Sequence, residues 1–131
     1  VPSQLSSNEN LARFVTKKRQ ISPTHIDPEL FMLRNGEASL SLWLDDGRPL
    51  KDRWIAGENI LKSKCFGSAD ITAKNLKSIP KCNLTAKLTN TTTRHVAIDG
   101  LPRFKHEALQ IAQELINIAS PVINEESRQL S

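Results

Sequence analysis

Two stretches in which every second residue is apolar constrain this chain more than any other feature. In the first, Ala38, Leu40, Leu42 and Leu44 alternate with Glu37, Ser39, Ser41 and Trp43; in the second, Cys82, Leu84, Ala86 and Leu88 alternate with Asn83, Thr85, Lys87 and Thr89. A period of two is the repeat of a β-strand, whose successive side chains point to opposite faces. The polar run Thr89 to Thr93 reads as a turn, and His95 to Asp99 returns as a further strand that Gly100 and Pro102 stop, so a hairpin joins the last two. Ala69 to Ala73, following Gly67, is another short alternating segment. In the stretch from Leu11 to Arg19, Leu11, Phe14 and Val15 suit one helical face, yet Phe14, Val15 and Thr16 also suit a strand; the extended reading is preferred. Pro23 and Pro28 restrict the residues before them, so Ser22 to Pro28 reads as a connector.

Elsewhere the period changes to 3.6. Phe104, Ala108, Leu109, Ile111, Ala112, Leu115, Ile116, Ile118 and Ala119 fill one half of a helical wheel, while His106, Glu107, Gln110, Gln113, Glu114 and Asn117 fill the other. Ser120 and Pro121 end that helix. A second helix is expected from about residue 49 to about residue 63. Asp45, Asp46 and Pro49 supply its start, and Leu50, Trp54, Gly57 and Leu61 form its stripe. Strands with one apolar face and two helices able to cover it predict a two-layer α+β fold, a mainly antiparallel sheet of about four or five strands under two helices. At 131 residues the chain has room for one such domain, placed at 11–121 between a flexible segment at 1–10 and a polar tail at 122–131.

Several function classes find no support in the sequence. The glycines at 36, 47, 57, 67 and 100 are scattered, so neither a GxGxxG nor a P-loop pattern occurs, and no GxSxG marks a serine hydrolase. Cys65 and Cys82 belong to no ligand pair, and the prolines around His25, Asp27 and Glu29 scatter those groups. No metal and no cofactor is expected. No apolar run approaches the roughly 20 residues of a membrane span, and the residues from Val1 to Gln4 do not resemble a secretory signal, so the expected location is cytoplasmic, with no membrane partner.

Charge is the remaining compositional signal. The net +4 is uneven: residues 62–94 carry seven basic side chains and one acidic, a local excess of +6. Such a segment can neutralise nucleic-acid phosphates, whereas the plainer alternative is an ordinary solvated surface.

Four motifs carry a resemblance. Leu11-Ala12-Arg13-Phe14 with Lys18-Arg19, Glu37 to Ser41, Gly67 to Ile71, and Arg94 to Pro102 together resemble an uncharacterised family of small bacterial proteins with RF…KRH, GRADI and RHANIxGxP type motifs. The similarity spans Leu11 to Ala119, with Gln20 and Leu101 standing where the family pattern has His and Trp. It implies a single bacterial domain and draws attention to Arg94, His95 and Asp70, without supplying a mechanism.

Two functional expectations follow. The first is a noncatalytic binding or adaptor protein that contacts a protein or nucleic acid partner through Lys62, Lys64, Lys74, Lys77, Lys81, Lys87 and Arg94, with Trp43 as an indole exposed on the open strand face. Alternatively, the N-terminal arm covers Trp43 and makes that face a second core. The second expectation is a small enzyme acting on a phosphate-containing substrate. Arg94 would clamp the anion, His95 would act as acid or base, and Asp70 would orient it or hold a metal. His95 and Asp99 share a strand face but lie about 13 Å apart at the usual strand rise, so the carboxylate has to come from another strand.

Overall fold

The structure is a computed structural model, and it describes residues 8–45, 47–80 and 82–126. Parts of the expected flexible segment and polar tail, 1–7 and 127–131, lie outside the described residues. Among the described residues eight strands form: β1 (Asn10–Val15), β2 (Ile21–Ser22), β3 (His25–Ile26), β4 (Leu40–Leu44), β5 (Gly67–Thr72), β6 (Thr85–Asn90), β7 (His95–Asp99) and β8 (Ser120–Ile123). Three helices join them: α1 (Leu50–Leu61), α2 (Ala73–Lys77) and α3 (Lys105–Ile118). Six strands make one sheet in the order β6-β7-β4-β1-β5-β8, every neighbouring pair antiparallel, while β2 and β3 form a separate ribbon. The hairpin expected from the alternation around Leu84 and Val96 is β6–β7, with Leu88 opposite Val96 and Ala86 opposite Ile98.

The α+β class stands, and three finer expectations are corrected. The main sheet has six strands rather than four or five, because a further strand forms across the boundary between the expected domain and the expected tail at 122–131. Ser120–Ile123 pairs with β5, Gly67 opposite Ile123 and Asp70 opposite Ser120. Pro121 ends α3 and fits this edge strand, where a missing N–H is tolerated. The short α2, capped by the Thr72 hydroxyl accepting from Asn75 N, is a third helix with no clear periodic signal.

The third correction concerns layers. Leu11 and Val15 of β1, Leu40 and Leu42 of β4 and Val96 and Ile98 of β7 point to one face and pack with Ile111, Ala112 and Leu115 of α3. The opposite face is apolar where Phe14 and Trp43 stand, and there Trp54 of α1 closes a second core with Cys65. The helices therefore cover opposite faces, giving three layers rather than two. Gly57 permits the close approach of α1, since a β-carbon there would sit 3.0 Å from the Phe14 ring. Three residues of the expected helical stripes are exposed: Leu50 in the first turn of α1, Leu109 on α3, and Phe104, which precedes α3 and is 78% exposed.

Candidate functional site

The expected Arg94, His95 and Asp70 constellation is not assembled. His95 opposes Trp43, Trp43 shares a row with Ala12, and Ala12 opposes Asp70. All four stand on the same sheet face, but His95 and Asp70 are three strand spacings apart, about 14 Å, with Trp43 and Ala12 between them. The enzyme expectation needs Asp70 on a strand neighbouring β7, whereas β4 and β1 intervene. His95 is instead held by hydroxyls: Nε2 lies 2.8 Å from Ser41 Oγ, and Nδ1 pairs with Thr89 Oγ1. Its ring meets the edge of Trp43 with centroids 5.6 Å apart, and partial burial lowers its pKa below the usual imidazole value. Two hydroxyl partners can serve either tautomer, but neither is a carboxylate able to stabilise an imidazolium.

Asp70 anchors a different network. Its Oδ2 accepts from Arg53 Nη2 at 2.9 Å and from Asn10 Nδ2 at 2.9 Å, and its Oδ1 accepts from Ser68 Oγ at 2.7 Å. Arg53 Nη1 also reaches Ser68 Oγ, and Asp45 Oδ2 lies 3.8 Å from Arg53 Nη2. The Arg53 and Asp70 side chains are only 8% and 12% exposed, so this is a nearly buried ion pair fastening α1 to β5. Both oxygens of the carboxylate are thus committed to the fold.

The basic residues do not form one patch. Lys62 and Lys64 follow α1 beside the Gly67 end of β5, whereas Lys74 and Lys77 lie in α2 at its Thr72 end, roughly 17 Å away along the strand. Lys87 stands on the edge strand β6, four strand spacings from β5, about 19 Å. Lys64 leans over the Phe66 ring at 5.3 Å, and Lys81 lies outside the described residues. Counting charge along the sequence could not detect this dispersal, because the length of β5 separates the first two pairs and the strand order carries Lys87 to the far edge.

Arg94 falls elsewhere, in a cleft of about 270 Å³ between α1 and the sheet. Phe14, Trp43 and Ala12 make its floor, Ala56 and Ile60 of α1 one wall, and Thr92, Thr93 and Arg94 of the β6–β7 turn the other, with Asp45, Arg48 and Arg53 at the end. Arg94 adopts a left-handed backbone with φ of 62°, a conformation costly for a residue with a β-carbon, and its carbonyl accepts from Leu44 N at 2.9 Å. That bond ties the turn to the sheet and fixes where the arginine leaves it.

Trp43 is neither exposed nor covered by the N-terminal arm alone. It is 8% exposed, stacked obliquely on Phe14 at 5.4 Å and capped by α1. Among the described residues, its Nε1 is the buried side-chain polar atom with no hydrogen-bond partner. Arg48, Arg53 and the role of Phe14 escape a reading of the sequence; the mixture of Asp45, Asp46 and Arg48 before a helix is visible there, but only as a helix start. Among the described residues no group of His, Cys, Asp and Glu could hold a metal ion, and no helix is long and apolar enough to cross a membrane. No protein-family model matches this chain, and no curated protein or solved structure does.

Proposed function

We propose that this protein is a noncatalytic binding domain whose ligand seats between α1 and the sheet, presenting an apolar body to Phe14 and Trp43 and an acidic end to Arg48 and Arg94. The observation that carries this reading is the cleft itself, an aromatic floor with arginines at its mouth. Its volume of about 270 Å³ suits a small molecule or one anchoring side chain of a protein partner. Apolar area on the floor supplies affinity, and a guanidinium, being planar and permanently charged, selects a carboxylate or phosphate. An enzyme acting on a phosphate-containing substrate through Arg94 and His95 is supported less well, since Asp70 is about 14 Å from His95 and occupied by Arg53. A nucleic-acid or protein surface built on the lysines is disfavoured by their dispersal over both ends and one edge of the sheet.

The test is a titration with a panel of small aromatic carboxylates and aromatic phosphates, followed by the indole N–H resonance of Trp43. Saturable binding that survives His95→Ala and falls at least tenfold in Arg94→Gln is expected, as for loss of one charge-assisted hydrogen bond. Ligands that bind without moving the Trp43 resonance, or equally well to Arg94→Gln, would remove the cleft from the account. Turnover of an aromatic phosphate that disappears in His95→Ala would restore the enzyme reading.

A further inference from the structure

The pairing of β1 with β4 runs only from Leu11 opposite Leu44 to Ala12 opposite Trp43. Where Phe14 would oppose Ser41 the ladder stops, and the guanidinium of Arg13 occupies the break. Its Nε donates to Leu30 O and its Nη1 to Ser41 O, each at 2.9 Å. Arg13 is 8% exposed, yet among the described residues no carboxylate forms an ion pair with it. Two neutral carbonyls fix the plane of the group without neutralising its charge. A cation taken out of water ordinarily has a counter-charge paired with it; among the described residues this one has only Glu37, which lines the same cleft and acts on it without forming an ion pair.

Around Arg13 lies a second cleft of about 280 Å³, whose lining includes Arg34, Glu37, Ser41 and Ser63. Burial, followed by the like charge of Arg34, lowers the Arg13 pKa to about 10, and Glu37 offsets this only in part. Glu37 Oε1 already accepts from Arg34 N at 2.6 Å. Phe14 and Trp43 line both clefts and stand as the partition between them. The unpartnered Trp43 Nε1 is in that partition.

We propose that this second cleft is an oxyanion site, taking a doubly charged phosphate-type group between the buried guanidinium of Arg13 and the exposed guanidinium of Arg34. Two guanidinium groups can present parallel N–H donors to such a group, and the bonds to Leu30 O and Ser41 O hold the deeper one in place before the anion arrives. Ser63 lines the same wall, as does Ser41, whose Oγ is already paired with His95 Nε2. The inference does not depend on the α1 cleft, since the cations differ.

Inorganic phosphate is the probe, titrated into the full chain at constant ionic strength with chloride as the matched salt, while the Arg13 Nε–H and Trp43 Nε1–H resonances are followed. A saturable shift of the Arg13 resonance with phosphate and none with chloride is expected. Arg34→Gln, a substitution at an exposed side chain, should weaken it roughly tenfold, the loss of a charge-assisted bond. Arg94→Gln should leave it unchanged. The site is rejected if phosphate acts no differently from chloride, if Arg34→Gln binds as tightly as the native chain, or if Arg94→Gln abolishes the effect, which would move the anion to the other cleft. Arg13→Lys serves as a companion where it folds, since a point charge without the fork should bind more weakly; Arg34→Gln decides the matter if it does not.

Discussion

Single side chains in this protein are committed by their surroundings more than by their own chemistry. His95 illustrates it. Partial burial favours the neutral ring and lowers its pKa in the folded state. The unfolded chain therefore takes up the proton first as pH falls, so the contribution of the neutral ring is present above about pH 6.5 and is lost as pH falls through the depressed folded value. Urea unfolding of the native chain and of His95→Gln between pH 7.5 and 5 should show the native chain losing more stability over that window; parallel curves would mean that His95 does not titrate differently on folding. Asp70 matters more to stability than His95 does. Asp70→Ala leaves Arg53 nearly buried with only the longer 3.8 Å contact to Asp45, so a loss of about 3 kcal/mol is expected from urea denaturation, with a smaller loss for Asp70→Asn, which keeps oxygen and nitrogen atoms near Ser68 and Asn10. If Asp70→Ala unfolds like the native chain, the ion pair does not fasten α1 to the sheet.

At the scale of elements, two glycines decide how closely neighbours approach. In an exposed helix, Gly→Ala gains about 1 kcal/mol from propensity. At Gly57 the added carbon meets the Phe14 ring at 3.0 Å, so Gly57→Ala should instead cost about 1 kcal/mol. In a Phe14→Leu background the sign should revert towards a gain, which a double-mutant cycle measures; additivity of the two substitutions would show that they do not touch. Gly67 fixes the edge strand. A β-carbon there would lie 2.3 Å from Val122 O, and φ is 153°, so Gly67→Ala should detach β8 and expose the β5 amides to hydrogen exchange. Unchanged protection of those amides would mean that β8 contributes nothing to the sheet. The strands β4, β6 and β7 and the helices α1 and α3 were legible because each carries its period within one short stretch. α2 and β8 were not, since five and four residues are too few to establish one, and Ser120-Pro121 reads equally as a helix stop and as the first residues of an edge strand.

Across the whole molecule, the two cores on opposite faces of one sheet offer two thiol reporters. Cys65 is fully enclosed in the α1 layer: its N–H donates to Glu58 Oε2, its carbonyl accepts from Asn124 Nδ2, and burial pushes its thiol up to about 11. Cys82 lies partly exposed at the edge of the α3 layer. A thiol reagent under native conditions should label Cys82 directly and Cys65 only at the rate set by unfolding, with urea accelerating the second alone. Equal labelling rates would indicate that the α1 layer opens without the rest. The site was legible only in fragments. Arg94 and Trp43 stand out in the sequence and do share a cleft, but joining His95 to Asp70 requires an adjacency that the strand order denies.

The division has a physical reason. A period of 2 or 3.6 is a property of consecutive residues, so the chain itself specifies which segments extend, which coil and which side of each is apolar. Which strand lies beside which depends on long-range pairing, and only the folded chain places β1 between β4 and β5, sends α1 and α3 to opposite faces, and leaves Arg13 in the break between two strands. Those placements, not the identities of the residues, separate His95 from Asp70 and bring arginines from β1, α1 and the β6–β7 turn to the two sides of a single indole.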